Sequence, residues 1–391
     1  MQSKSFLPLL ALCLVSLAAP SVSQTTGRAC GLSRGYEPRT REYWVAAVEK
    51  VWDYVPLGIN NSTGEAFDES AKVFTENGEA RIGSKYLKAL FVEYTKDFGE
   101  QIDRESNDLY KHMGFLGPAI RGVVGDKIIV HFKNEGTMDY SIHAHGVKYE
   151  KAHEGAPYND GTGKTDKMDD VVAPGGTFDY EWEVRERSGP GKNGLSSQLW
   201  AYHSHVDVPT DIYSGLVGPL VVVNPAYITT DEEAEKAFPC DLDREFFMYY
   251  SVSDENNNRL FDSNVGKVEN AVDLGAKEIE ELAGDDDFVE SNLMHGINGY
   301  MYANLPGLVM KAGDRVRWYI FSFGTEVDLH GAHWHGNTLD TASGQRVDSF
   351  EIFPGSFAAL DMVPDAKGTW LVVCHTHDHL SAGMMAFYTV T

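Results

Sequence analysis

A unit that occurs twice along the chain constrains its fold more than any other feature. Gly125-Asp126-Lys127 leads a strand into SIHAHG, and Gly313-Asp314-Arg315 leads another into DLHGAHWHG. Each half then has a Pro-Gly turn before a strand, Pro174-Gly175 and Pro354-Gly355. A Trp follows that opens a histidine-rich stretch, LWAYHSHVD from Leu199 and TWLVVCHTHD from Thr369. Self-similarity over spans this long marks two copies of one structural unit. The polar stretch AYITTDEEAEKAFPC, near 226 to 240, separates them, so the units are expected over 40–228 and 240–391.

Both copies read as β. The runs YWVAAVEKVWDYVP, IIVHFKN, FDYEWEV, LVGPLVVVN, FFMYYSV, VRWYIFSF and FAALDMV are rich in β-branched and aromatic residues, and Gly, Pro, Asn and Asp punctuate them. Helical periodicity is confined to patches such as TTDEEAEKAF and VDLGAKEIEELA. Many short strands with regular turn signals predict an all-β chain of two sandwiches.

With a formal net charge of −25 over 391 residues, the chain would be repelled by nucleic acid and by anionic membrane surfaces. That balance suits a protein that handles cations. Residues 1–23 carry Lys4, the apolar run FLPLLALCLVSLAA and the small residues Ser21-Val22-Ser23, the pattern of a cleaved secretory signal. The protein is therefore expected to be secreted and extracellular. No other stretch is long and apolar enough to cross a bilayer. Cys13 would leave with the signal, and Cys30, Cys240 and Cys374 remain. An odd thiol in an oxidising compartment usually has a use. If Cys30 and Cys240 pair, Cys374 is left free, but the sequence alone does not establish that pairing. Asn60-Asn61-Ser62-Thr63 offers overlapping glycosylation sequons.

The chemistry concentrates between Trp370 and Met384, WLVVCHTHDHLSAGM. A thiolate with two imidazoles and a weak axial thioether favours a blue-copper electron-transfer centre. Cys374 would close a strand, His379 and Met384 would come from the loop after it, and His330 in DLHGAHWHG is the candidate for the remaining equatorial ligand. Three H-x-H pairs accompany it: His143 with His145, His203 with His205, and His333 with His335. Residues i and i+2 of a strand face one side, so each pair presents two imidazoles together. Aligned on Trp200 and Trp370, His203, Ser204 and His205 fall opposite Val373, Cys374 and His375. The first copy thus lacks the thiolate and should hold no blue copper.

At these residues the chain resembles the multicopper oxidases, and within them the vertebrate ceruloplasmin and hephaestin group. The likeness extends through GFLGPAIRGVVGDKIIVHFKN, YHSHVDVPTDIYSGLVGPL and ESNLMHGINGYMYANLPGL. It implies two cupredoxin-like Greek-key β-sandwiches. It also implies a copper-dependent oxidase that takes electrons from Fe(II) or another small reductant and passes them to dioxygen. By the resemblance, His330, Cys374, His379 and Met384 are type 1 copper ligands and His143 and His333 type 2 ligands. His145, His203, His205, His335 and His375 are type 3 ligands. Glu290, His295 and Asp378 match an iron site, and Asp166, Asp169 and Asp170 a calcium loop.

Two departures from the family pattern carry consequences. Val373 stands where the closing motif has its first His, so the type 3 pair is expected to be incomplete, and His377 lies on the far side of Cys374. The relatives' six-domain ring also has only two counterparts here, which makes a homotrimer, joined head to tail, the expected way to rebuild it. A ferroxidase is the leading reading. The others are a laccase-like oxidase of phenols or amines, or a catalytically impaired copper-binding or structural protein, which Val373 would favour.

Overall fold

The computed structural model describes residue 30 and residues 35–78, 80–192, 194–266 and 276–391. The secretory signal expected over 1–23 lies outside the described residues, as does the start of the VDLGAKEIEELA patch. The rest of that patch is helical over Ala276–Ala283. TTDEEAEKAF contains the helix Asp231–Lys236, started by a capping box between Thr230 and Glu233.

Among the described residues the strands assort into four sheets, and the second pair repeats the first. In the N-terminal half one sheet has the order Lys85–Tyr94, Thr40–Asp53, Lys127–Asn134, Thr177–Glu183. Its counterpart begins Leu293–Ile297, Arg244–Asp254, Val316–Ser322, Ser356–Met362 and adds two short edge strands. The other N-terminal sheet runs Ile120–Val123, Val217–Val223, Ser197–His203, His143–Ala144. It matches Val309–Met310, Met385–Val390, Gly368–Cys374, His330–Trp334 in the C-terminal half, where Ser349–Ile352 completes the edge. Pair orientations repeat as well: Thr40–Ala47 runs parallel to Lys127–Asn134, and Arg244–Tyr249 parallel to Val316–Phe321. The all-β, two-sandwich fold expected from the sequence is the one observed.

Burial explains why some strands read as continuous apolar runs and others alternate. Lys127–Asn134 alternates because one face is covered and the other wet. Val217–Val223 is buried throughout. Its Leu220 and Val222 enter the N-terminal core, while Val217, Val221 and Val223 enter a separate core between the sandwiches. Val316–Ser322 does the same from the other side: Val316, Trp318 and Ile320 fill the C-terminal core, and Tyr319 and Phe321 face the seam. A large apolar side chain so buried contributes roughly 1.5–3 kcal/mol, so the seam is itself a core.

Charged groups inside the seam are paired. Arg121 places two nitrogens on Glu245 at 2.8 and 3.1 Å. Arg317 spans Asp361 at 2.7 and 2.8 Å and donates to the Ser196 and Ser197 hydroxyls. Cys30 and Cys240 form a disulfide, which leaves Cys374 as a buried free thiol.

Candidate metal centre

Cys374 ends the strand Gly368–Cys374, and Ala332, in the neighbouring strand that His330 opens, is its antiparallel partner. The chain then turns through the helix His377–Ser381 and comes back. The Met384 N–H donates to the His379 carbonyl at 2.9 Å, and the Cys374 N–H donates to the Met384 carbonyl at 3.0 Å. This closed loop sets Met384, fully buried, beside the sulfur's own residue. Cys374 Sγ lies 3.9 Å from His330 Nδ1 and 3.6 Å from His379 Nδ1, and the two nitrogens are 3.1 Å apart. The centre of that triangle is about 2.1 Å from each corner, close to the reach of a transition-metal bond to imidazole (about 2.0–2.1 Å) or thiolate (about 2.3 Å).

The donor set is chemically ready for such an ion. Burial pushes the Cys374 thiol up, but hydrogen bonds from His330 and His379 outweigh it and bring it down to about 5, so the sulfur is a thiolate at neutral pH. His330 Nε2 faces the buried Asp328 carboxylate at 3.4 Å. A carboxylate behind a ligating imidazole fixes the ring and raises its basicity. Among the described residues, His330, Cys374 and His379 are the one group of three such ligand atoms within 4.8 Å of one another.

His295, on the strand Leu293–Ile297, stands next to this triangle with its ring centre 5.3 Å from that of His379. Its Nδ1 is bound at the Leu293 carbonyl at 2.8 Å, which leaves Nε2 as the nitrogen available to a ligand. Burial, helped by His379, pushes it down to about 4, so the ring is neutral, and the charge of Asp378 bears on it in the opposite sense. Phe74, from the helix Glu69–Thr75 of the N-terminal half, packs edge-on against it at 5.7 Å. Glu290 is exposed at the end of the helix Asp286–Ser291. Among the described residues no hydrogen bond or ion pair joins it to His295 or Asp378.

The remaining histidines form two groups. His143, His145, His203 and His205 gather with ring centres 5.0–5.6 Å apart, and His145 Nε2 and His203 Nε2 meet at 3.1 Å. Burial lowers His143, His145 and His203, the second to about 4, so these rings are neutral. His333 lies 5.2 Å from His335 and 4.7 Å from His375, centre to centre, and His335 and His375 are exposed. Strand register aligns the two groups: His143 pairs with His203, and His333 pairs with Val373. Val373 thus occupies the place of an imidazole and is buried as an aliphatic residue. Within the chain, no ring contact or hydrogen bond among the described residues joins the two groups. The first packs instead on Phe323 and Phe357 of the C-terminal sandwich.

In the carboxylate loop, Asp169 and Asp170 are buried, and Asp169 Oδ1 has no hydrogen-bond partner. Asp166 is exposed. Asp160, which carries no signal in the sequence, takes its place near the pair and is held by Lys151 and Lys167 at 2.9 and 3.0 Å. Phe74, Phe323 and Phe357 were equally invisible in the sequence, because they reach their sites from the other half. Asp328 stands two residues before His330, in the turn that precedes the strand, and so falls outside the strand pattern that marks His330.

Comparison with known proteins agrees with this geometry. Residues 110–227 and 276–391 each match a multicopper oxidase family model. The human protein "Ferroxidase HEPHL1" is 38% identical over 363 residues, covering 92% of this chain and 30% of its own. Rat ceruloplasmin is 40% identical over 354 residues, covering 90% and 32%, and mouse hephaestin is 38% identical over 353 residues, covering 90% and 29%. The chain thus spans about 30% of the length of these curated relatives. Among solved structures, a multicopper oxidase (TM-score 0.53, 16% identity, 93% of each chain) and a copper nitrite reductase from Nitrosomonas europaea (TM-score 0.54, 18% identity, 90% and 94%) share the fold. With two matching domains, these relatives and a buried sulfur–imidazole triangle of metal-bond dimensions, the chain belongs to the multicopper oxidase family.

Proposed function

We propose that the protein is a secreted, extracellular ferroxidase that oxidises Fe(II) to Fe(III) and reduces dioxygen to water. The observation that carries this reading is the buried triangle of Cys374, His330 and His379 with the neutral His295 ring against it. Bound copper would supply one-electron redox chemistry at the triangle and oxygen reduction at the histidine groups. His330, Cys374, His379 and Met384 would hold the type 1 ion. His143 and His333 would hold type 2, and His145, His203, His205, His335 and His375 the type 3 pair. His295, Glu290 and Asp378 would bind the iron, since two carboxylates and an imidazole favour the harder Fe(III) product. Cys374 and His375 are neighbours in the chain, so one peptide unit bridges the two metal regions.

Each oxygen site is read as lying between the units 40–228 of one chain and 240–391 of the next, in a homotrimer. Two features support this. Among the described residues, no ring contact or hydrogen bond within the chain joins the groups of four and three imidazoles. Exposed apolar side chains, Leu329 just before the strand His330–Trp334 and Phe353 just after its partner Ser349–Ile352, lie at the edge of the same sheet, as on a contact surface. Asp169, Asp170 and Asp160 are the residues that would take a calcium ion, with Asp166 at the margin, and the unpartnered Asp169 Oδ1 supports that reading.

The test is oxygen uptake by copper-loaded protein with Fe(II) and with a phenol. A ferroxidase loses Fe(II) turnover but keeps phenol turnover when Glu290 and Asp378 are both changed to Ala; turnover of both spared would point to a laccase-like enzyme. Sedimentation of the copper-loaded protein as a monomer would remove the trimer. Val373 favours a second reading, a copper-binding protein with impaired oxygen chemistry, for which the blue colour would persist without oxygen uptake.

A further inference from the structure

The N-terminal sandwich keeps the loop that carries Cys374 in its partner but has rebuilt its contents. The Ser204 N–H donates to the Leu216 carbonyl at 3.1 Å, as the Cys374 N–H does to Met384, so Ser204 stands for the sulfur and Leu216 for the thioether. Tyr140, three residues before His143, stands for His330, three before His333. The Leu216 N–H donates to the Asp211 carbonyl at 3.1 Å, as the Met384 N–H does to His379, so Asp211 stands for the second imidazole and none of the four donors keeps its residue type.

A chain of hydrogen bonds fills the space. His205 N–H donates to the Ser141 hydroxyl at 3.0 Å, and Ser141 N–H donates to the Ser204 hydroxyl at 3.1 Å. Ser204 donates to Asp211 Oδ2 at 2.6 Å, which also accepts from the Asp207 N–H at 3.1 Å. Asp211 is completely buried, and its other oxygen accepts from Arg259 at 2.8 Å. Arg259 belongs to the opposite half, just beyond the turn Glu255–Asn257. It also donates to the Asp139 carbonyl at 2.8 Å, lies 5.5 Å over the Tyr140 ring, and donates its own N–H to the Ser214 hydroxyl at 2.9 Å.

A carboxylate in that position is costly unless a cation accompanies it. Without Arg259, Asp211 must either take up a proton or admit water, and either change loosens Ser204, which sits between His203 and His205. From this we infer that Arg259 is a positioning residue for the His203 and His205 imidazoles, reaching across the seam into the place a metal centre occupies in the sister sandwich. The inference rests on the reading of those imidazoles as copper ligands.

The test uses the full chain with Arg259→Met, of comparable length but no charge, and Arg259→Lys. Copper binding is followed in two classes, the blue absorption of the Cys374 site and the remaining copper by paramagnetic resonance and metal analysis. Removing a residue that orients metal ligands from behind typically weakens binding about 10–100-fold. Arg259→Met should therefore weaken the non-blue class by that amount and leave the blue absorption unchanged, with Arg259→Lys recovering part of the loss. Wild-type affinity for non-blue copper in Arg259→Met, or a parallel loss of both classes, would overturn the inference. If the wild type binds only blue copper, the ligand reading itself has failed. Amide exchange in the copper-free protein then decides: faster exchange confined to 203–213 in Arg259→Met supports the positioning role, and unchanged exchange there overturns it.

Discussion

The two sandwiches are built to one plan, and their sharpest contrast falls at two equivalent strand positions. In the C-terminal copy, residues 373 and 374 are Val and Cys, and a buried thiolate meets two imidazoles. In the N-terminal copy, the equivalent residues are His203 and Ser204. An imidazole joins the group of four there, and a hydrogen-bond chain replaces the metal donors. The buried thiolate triangle and the group of four imidazoles thus fall in different copies at equivalent strand positions, because strand register dictates which face each side chain takes. The scaffold sets positions, and a few side chains choose the chemistry.

The sharpest way to break this comparison is Cys374→Ser, which makes the second copy resemble the first at its defining residue. It should abolish the blue absorption and bring Fe(II)-dependent oxygen uptake down to background; retained colour would mean that the sulfur is not the ligand. Val373→His restores the imidazole that the first copy has at 203. It should raise affinity for non-blue copper on the order of tenfold or more, read by metal titration with oxygen uptake alongside. No change would show that the two positions are equivalent in register but not in use.

Smaller effects test whether the copies are energetically one body. Arg121→Met leaves Glu245 buried and unpaired in the seam, at a cost of about 3–5 kcal/mol. Denaturant unfolding should remain a single transition moved to lower midpoint, and separate transitions for the halves would contradict a shared core. His112, also in the seam, accepts from the Phe247 N–H at 3.0 Å, and burial pushes it down to about 3. The unfolded chain binds that proton more readily, so the stability His112 confers is complete above the ordinary histidine range. It is lost as pH falls from there towards 3, at roughly 1.4 kcal/mol per pH unit. His112→Gln should flatten that part of the acid limb.

Much of this was legible in the sequence for a physical reason. Repeated Gly-Asp, Pro-Gly and Trp markers define equivalent turns, and apolar runs define strands, so the paired sandwiches could be read directly. The Cys374, His379 and Met384 spacing was equally readable, because a tight loop brings near neighbours together whatever surrounds it. The position of His330 needed the strand pairing that the repeat implied. The contacts of Phe323 and Phe357 with the first imidazole group, the role of Asp160 and the reach of Arg259 were not legible. Each depends on how distant segments dock, and no periodicity in the local sequence encodes that.

Val217–Val223 contributes alternate side chains to two different interiors. The smallest fragment able to keep that strand dry on both sides is therefore the tandem, not either half. Expressed separately, each half would present a wide oily flank to water and stick to whatever it met, so duplication or shuffling of such a chain should move its two lobes together.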